Sequence, residues 1–335
     1  MTAAAATASL GPLLGQGGLD ASALYGLSDR LGALHAAAPR GDAASFWARL
    51  QALAGSRAQR QELERQREHL KRRAQAGRVR RIGEDGASED VLFDLARPLT
   101  RLIRDRELVE ASIVSNRYAD VTPQGATGWG VLPLFVSLQV AAAGDPALAD
   151  TLLDPSPPRL VAIGGLSGTG KSTLSRLLAS RVGRPRGARI VRSDVFRKRL
   201  AGLAPEMRLP PAHYTRHSDE ETYEAMFESA DDHLACGSSV ILDAVFMSRS
   251  EREVAEAIAA RRRVPFTGIW LEAPERDRLA RVEARTNDAS DATAEVVREQ
   301  SRRSVGAVGG WHRMRVNRPI ELIVPAARAA LERAR

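Results

Sequence analysis

From residue 158 onward, short apolar runs alternate with stretches in which apolar residues recur every three or four positions. Leu160, Val161, Ala162 and Ile163 form a continuous run of the kind a strand buried on both faces shows, and it stops at paired glycines. Leu174, Leu177, Leu178 and Val182 then recur at i, i+3, i+4 and i+8, which predicts a helix opening near Lys171. The pattern repeats: strands are expected at 188–192, 238–246 and 264–271, and helices from Ser193, over Tyr223, Met226, Phe227, Ala230 and Leu234 behind a Ser218 cap, behind a Ser248 cap, and over 274–285 and 293–304. Such alternation predicts an α/β fold, a parallel sheet wrapped by helices with ligands at the carboxyl ends of its strands.

The first 150 residues have a different pattern. Helical periodicity is expected over 22–38, 43–76, 90–106, 108–118 and 132–143, with polar or glycine-rich breaks at 82–90 and 120–130, and there is no fixed-period repeat. The proline cluster in 148–159 reads as a linker. The expected division is therefore a mostly helical region, 1–150, followed by an α/β domain, 151–335.

Composition adds the compartment. The one cysteine, Cys236, rules out an internal disulfide, and neither a cleavable signal nor a membrane-length apolar run stands out, so the expected location is cytoplasmic with no membrane partner. The net charge of +8 is concentrated: between Ser56 and Ile82 ten basic residues face three acidic ones. No aromatic residue is interleaved there to stack on a base, and i,i+4 pairs such as Arg60 with Glu64 fit a solvated helix, so nucleic acid is the less favoured partner.

The candidate chemistry centres on one peptide. Gly165, Leu166, Ser167, Gly168, Thr169, Gly170, Lys171 and Ser172 fit G-x-x-x-x-G-K-[ST], between the expected strand and helix that this phosphate-binding loop requires. Glycines let the backbone approach a phosphate closely, and the amides of the loop and helix start form a concave anion site. Lys171 is expected on the β- and γ-phosphates, Ser172 on Mg²⁺, and Thr173 at the α-phosphate, with Gly165, Ser167, Gly168, Thr169 and Gly170 building the cradle.

Five further positions complete the expected site. Asp243 ends the run Val240-Ile241-Leu242, which puts a carboxylate at a strand's carboxyl end beside the loop, where it would hold the metal. The next residue is Ala244 rather than a glutamate that would orient water, favouring transfer to a hydroxyl over hydrolysis. Asp194 ends the strand after the loop's helix and is expected to take or orient an acceptor hydroxyl's proton, with Arg197 one turn on facing the same cleft. Arg278, Arg281 and Arg285 share a helix face before a polar loop, and Arg281 with Arg285 are expected to stabilise transition-state charge from a lid. His213, His217 and Cys236 do not make a convincing zinc set.

These motifs have a family likeness. GGLSGTGKST at 164–173, VRSDVFRKRL at 191–200, VILDAVF at 240–246, WLEAPERDRLARVEART at 270–286, DASDA at 288–292 and Trp311-His312 together resemble the small P-loop kinases related to gluconate kinase and zeta toxin, over residues 158–318. The resemblance implies a P-loop NTPase sheet and assigns Asp194 to the acceptor hydroxyl and Arg281 and Arg285 to the lid. LSDRLGALHAAAP at 27–39, GRVRR at 77–81, DVLFDLARPLTRLI at 90–103, SNRYAD at 115–120 and LPLFVSLQVA at 132–141 resemble the helical lobe of aminoglycoside phosphotransferases. Between Arg81 and Asp90, where that family keeps its catalytic loop, this chain has only IGEDGASE. The resemblance thus implies a degenerate remnant without phosphotransferase activity.

The expected activity is that of a kinase using ATP and Mg²⁺ to phosphorylate a hydroxyl of a small molecule, a sugar, sugar acid or nucleotide sugar. A 5′-hydroxyl polynucleotide kinase and a non-catalytic ATP-binding interaction module are the alternatives.

Overall fold

Residues 21–185, 187–284 and 288–333 are described by a computed structural model. The chain divides into two units, Met1–Ser156 with Arg184–Gly187, and Pro157–Gly183 with Ala188–Arg335.

The first unit holds α1 (Ala21–Ala37), α2 (Ala43–Leu53), α3 (Arg57–Arg65), α4 (Arg67–Gln75), β1 (Val79–Arg81), β2 (Ser88–Asp90), α5 (Val91–Arg104), α6 (Leu108–Val121), α7 (Gly125–Ala142) and α8 (Pro146–Thr151). Its centre is a cluster of three phenylalanines, Phe46, Phe93 and Phe135, meeting edge to face with ring centroids 5.4–6.0 Å apart. Each such buried ring contributes about 1.5–3 kcal/mol of transfer free energy.

Four expectations for this unit are corrected. The single helix over 43–76 is three helices, because Ser56 and Gln59 close a capping box that starts α3 afresh, and Gln59 also donates to Ser137. The break at 82–90 includes one strand of an antiparallel hairpin in which Val79 pairs with Asp90. The last long helix starts at Gly125 rather than near 132: Gly128 and Gly130 are buried within it, and at Gly128 a Cβ would stand 2.6 Å from Arg73 Nη1. Contrary to the expectation of no membrane-length apolar run, α7 is long and apolar enough to cross a membrane, with a mean hydropathy of 1.3, yet 61% of it is buried in the fold.

Part of the basic segment is paired within the unit. Arg73 makes a buried bidentate pair with Asp90, Arg65 pairs with Glu62, Arg67 with Glu64, and Arg78 and Arg80 donate to the carbonyls of Pro123 and Ala38. Of these pairs only that of Arg73 is buried; Arg65 and Arg67 pair on the surface, each side chain 59% exposed.

The second unit holds β3 (Leu160–Gly164), α9 (Lys171–Ala179), β4 (Arg189–Arg192), α10 (Ser193–Leu200), α11 (Arg216–Ala235), β5 (Val240–Asp243), α12 (Arg249–Arg262), β6 (Phe266–Glu272), α13 (Glu275–Glu283), α14 (Ala294–Arg302), β7 (His312–Arg315) and α15 (Val324–Arg333). The five strands are parallel in the order β4-β5-β3-β6-β7. Both faces are apolar: Leu160, Ala162, Val240 and Leu242 pack toward Met226, Ala230 and Ile258, while Val161, Ile163 and Ile241 pack toward Leu174, Leu178 and Ala327. Because β3 sends its helix across to β4 on one side while β6 lies on the other, the strand order reverses at its carboxyl end. That is where an open parallel sheet leaves a crevice. The expected α/β architecture is present, with β7 and α15 added where no element was expected, and with α11 capped by Thr215 rather than Ser218.

Candidate functional site

The loop between β3 and α9 takes the shape its glycines allow. Gly165, Gly168 and Gly170 have φ of +142°, +82° and +92°. At Gly168 a Cβ would lie 2.5 Å from the Arg278 carbonyl oxygen, so only glycine lets α13 come this close. Gly165 N–H donates to the Val245 carbonyl at 3.1 Å, tying the loop to the chain beyond β5. Lys171 Nζ reaches the Leu166 carbonyl at 3.2 Å.

The loop opens onto a cavity of about 1200 Å³ whose walls include Ser167, Gly168, Gly170, Lys171, Ser172 and Thr173. Asp194, Arg197, Asp243 and Arg281 line it too. Two expected cradle residues do not: Gly165 is turned to Val245 and Leu271, and Thr169, only 1% exposed, bonds its hydroxyl to the Leu166 carbonyl. Both shape the loop from behind. Arg281 extends Nη1 to the Gly168 carbonyl at 3.4 Å and Nη2 to the Val316 carbonyl at 3.1 Å, directly over the loop. Arg285 lies outside the described residues.

Across the cavity, charges are closely set. Asp243 is buried at the end of β5, and Arg192 is its partner in the β4–β5 register. Arg192 Nε stands 3.5 Å from Asp243 Oδ2, while Nη2 binds Asp288 Oδ1 at 2.8 Å. Asp243 Oδ2 has no hydrogen-bond partner. Burial pushes the Asp194 carboxyl above the ordinary aspartate value; Arg192 and Lys171 oppose that shift, and Asp243 and Asp288 reinforce it. Arg197 Nη2 is paired with Asp219 Oδ1 at 2.7 Å, and its guanidinium lies over the Tyr214 ring.

Several wall residues carried no signal in the sequence, or were given another role. Tyr223, expected as core, accepts the Phe246 N–H at 2.9 Å and holds that residue at a φ of +53°. Glu251, legible only as the third position of a Ser248 capping box, also lines the cavity. Gln300, on a helix 133 residues away, accepts the Ser167 N–H at 2.8 Å, so an amide expected to meet phosphate already has an oxygen on it. That position of an acceptor oxygen shows the amide is directed into the cavity.

The donor set suits a small hard cation. Mg²⁺ usually keeps several waters and takes one or two protein oxygens plus phosphate oxygens. Asp243 Oδ2, buried without a hydrogen bond, and Ser172, on the same cavity, meet that description.

Residues 160–305 match a family model described as an AAA domain. Among curated proteins, uncharacterized proteins of Mycobacterium tuberculosis (strain ATCC 25618 / H37Rv) and of Mycobacterium bovis (strain ATCC BAA-935 / AF2122/97) are each 33% identical over 143 residues, 41% of this chain. The matched stretch spans 28% of the length of those relatives. Among solved structures, a gluconokinase from Sinorhizobium meliloti 1021 aligns with 52% of this chain and 93% of its own at 21% identity and a TM-score of 0.39. A putative kinase from Chloroflexus aurantiacus j-10-fl aligns with 53% and 98% at 22% and 0.39. The Mycobacterium tuberculosis APS kinase in complex with AMPPNP and APS aligns with 53% and 99% at 16% and 0.36. The glycine loop at the reversal of a five-stranded parallel sheet, with an aspartate ending the adjacent strand, makes the second unit a P-loop nucleotide-binding fold, and its residues 160–305 match the AAA-domain model.

Proposed function

We propose that the second unit is an ATP- and Mg²⁺-dependent kinase that moves the γ-phosphoryl group to a hydroxyl of a small molecule, with a sugar, sugar acid or nucleotide sugar as the acceptor class. The observation that carries this is the cavity itself: at about 1200 Å³ it has the glycine loop on one wall and Asp194 on another. Sites for one small ligand run to about 300–1,000 Å³, so there is room for a nucleotide and a second molecule.

The loop amides and Lys171 would hold the triphosphate, Lys171 leaving the Leu166 carbonyl to do so. Ser172 and Asp243 would hold Mg²⁺, which supplies neutralisation of phosphate charge. Asp194 accepts the acceptor's proton as its oxygen attacks the γ-phosphorus; the new O–P bond forms as the bond to the bridging oxygen breaks, and ADP leaves. An aspartate raised above its ordinary value by burial is a stronger base for that step. Arg281, already over Gly168, and Arg285 would meet the charge that develops on the transferring group. Arg197, neutralised by Asp219, contributes directed N–H groups more than net charge.

The test is acceptor-stimulated ADP release across a panel of sugars, sugar acids, nucleotide sugars and a 5′-hydroxyl oligonucleotide, in the wild type and in Lys171→Ala. Stimulation confined to the wild type and to small acceptors is expected. If nothing raises ADP release above the Lys171→Ala background, the proposal fails.

A further inference from the structure

Between α13 and α14 the described segment 288–293 makes two separate attachments. Asp288 binds Arg192, which faces Asp243 in the sheet. Three residues on, Asp291 accepts three hydrogen bonds from the wall of the acceptor side: Tyr214 Oη at 2.7 Å, Leu209 N–H at 3.1 Å and Lys198 Nζ at 3.1 Å. Lys198 is 1% exposed, and its other hydrogen bond goes to the Pro205 carbonyl at 2.9 Å.

The segment 201–215 has little regular structure of its own. It is proline-rich, its only regular structure is a single 3-10 turn at Pro211–His213, and most of its residues are exposed. Yet it supplies Arg208, Leu209, Pro211 and Tyr214 to the cavity. Asp291 is the carboxylate on which its backbone, its tyrosine and the buried ammonium of Lys198 converge.

We propose that Asp291 is a positioning residue that sets acceptor specificity: it fixes the 201–215 wall, and through the Arg192–Asp288 pair it registers that wall to the strand end carrying Asp243. The inference rests on the acceptor pocket proposed above, but its structural half stands independently of turnover. A buried lysine that loses its carboxylate loosens the segment around it, because the remaining carbonyl does not balance the charge. The acceptor wall then adopts many positions, while the glycine loop keeps its own hydrogen bonds.

The test uses the whole chain with Asp291→Asn and, as a milder change that leaves the lysine pair in place, Tyr214→Phe. Hydrogen exchange of amides in 203–215, without nucleotide or acceptor, is expected to quicken by about tenfold in Asp291→Asn and less in Tyr214→Phe, with amides of 165–173 unchanged. With the best acceptor from the panel, its KM is expected to rise about tenfold while the KM for ATP stays within about twofold, and Asp291→Glu is expected to recover part of the loss. Unchanged exchange over 203–215 in either variant overturns the proposal, as does an equal rise in both KM values. Faster exchange with no acceptor turnover in any protein retains the positioning role and removes the kinase assignment instead.

Discussion

Arg192 and Asp243 face each other in the parallel ladder of β4 and β5, and Nε of the one stands 3.5 Å from Oδ2 of the other without a hydrogen bond between them. The guanidinium is held from its far side by Asp288 and also lowers the pKa of Asp194 against the push of burial. One arginine thus bears on three carboxylates at the mouth of the sheet. Removing it therefore changes more than a single ion pair.

Arg192→Gln is expected to move the acid limb of the kcat/KM profile to higher pH. Asp194 acts as a base only when ionised, burial has already raised its pKa, and Arg192 is the strongest influence holding it down. With that cation gone the carboxyl keeps its proton to a higher pH, so activity is lost sooner as pH falls. A pH–rate series for the two proteins decides it. An acid limb in the same place, or shifted downward, rules out Asp194 as the group being titrated.

Lys171→Ala is expected to weaken Mg·ATP binding by roughly ten- to a hundredfold, the loss of a hydrogen bond to a charged group being worth about 1.5–3 kcal/mol. Titration calorimetry measures this without any acceptor. Affinity unchanged in the variant removes Lys171 from the phosphate site.

What the sequence revealed and what it hid divide by distance along the chain. The glycine loop is one contiguous peptide whose spacing is itself the constraint, and Asp243 follows because a short apolar run predicts where a strand ends. Arg192 and Asp288 are 96 residues apart, and Gln300 and Ser167 are 133 apart. Nothing local marks such partners; each is an ordinary polar residue until the fold brings it to the same mouth. In the helical unit, glycines at 125, 128 and 130 argued for a break, and packing overrode it where Gly128 and Gly130 are buried, as the approach of Arg73 to Gly128 shows. The capping box at Ser56 was readable, and it would have divided the long helix expected over 43–76.

Tyr223→Phe is expected to destabilise the second unit by about 1–3 kcal/mol, the cost of leaving a buried N–H without its partner. Phe246 sits at a φ of +53°, unfavourable for a residue with a side chain, and its N–H is fixed by Tyr223 Oη while its carbonyl takes the Arg252 Nη1 at 2.7 Å. Since Val245 of the same turn accepts from Gly165, a looser turn should also raise the KM for ATP. Equilibrium denaturation with a parallel KM measurement checks both. An unchanged midpoint shows that the hydroxyl does not stabilise the turn.

Arg73→Ala is expected to cost the helical unit about 3–5 kcal/mol, because it strips the partner from a carboxylate that is almost wholly buried. Asp90 then keeps only its capping bond to the Leu92 N–H at 2.8 Å. The same change should leave any binding to an oligonucleotide as it was, since the guanidinium is 4% exposed. Denaturation followed by a probe within residues 21–156 tests the first expectation and a salt titration of oligonucleotide binding the second. A steep salt dependence that flattens in Arg73→Ala returns this segment to a nucleic-acid role.

Asp291 also predicts how the second unit responds to acid. Burial pushes its carboxyl up, but the Tyr214 hydroxyl, the Leu209 amide and Lys198 together outweigh that and hold it below the ordinary aspartate value. A carboxyl lower in the folded than in the unfolded chain stabilises the fold above its unfolded pKa, and that contribution disappears as pH falls through the folded value. Stability should therefore decline between about pH 5 and the folded pKa, and Asp291→Asn, already destabilised near neutrality, should decline less over the same interval. Urea midpoints for both proteins from pH 7 down to pH 3 give the comparison. Parallel curves across that window show that Asp291 does not carry the tie between 201–215 and the rest of the cavity wall, and convergence toward low pH shows that it does.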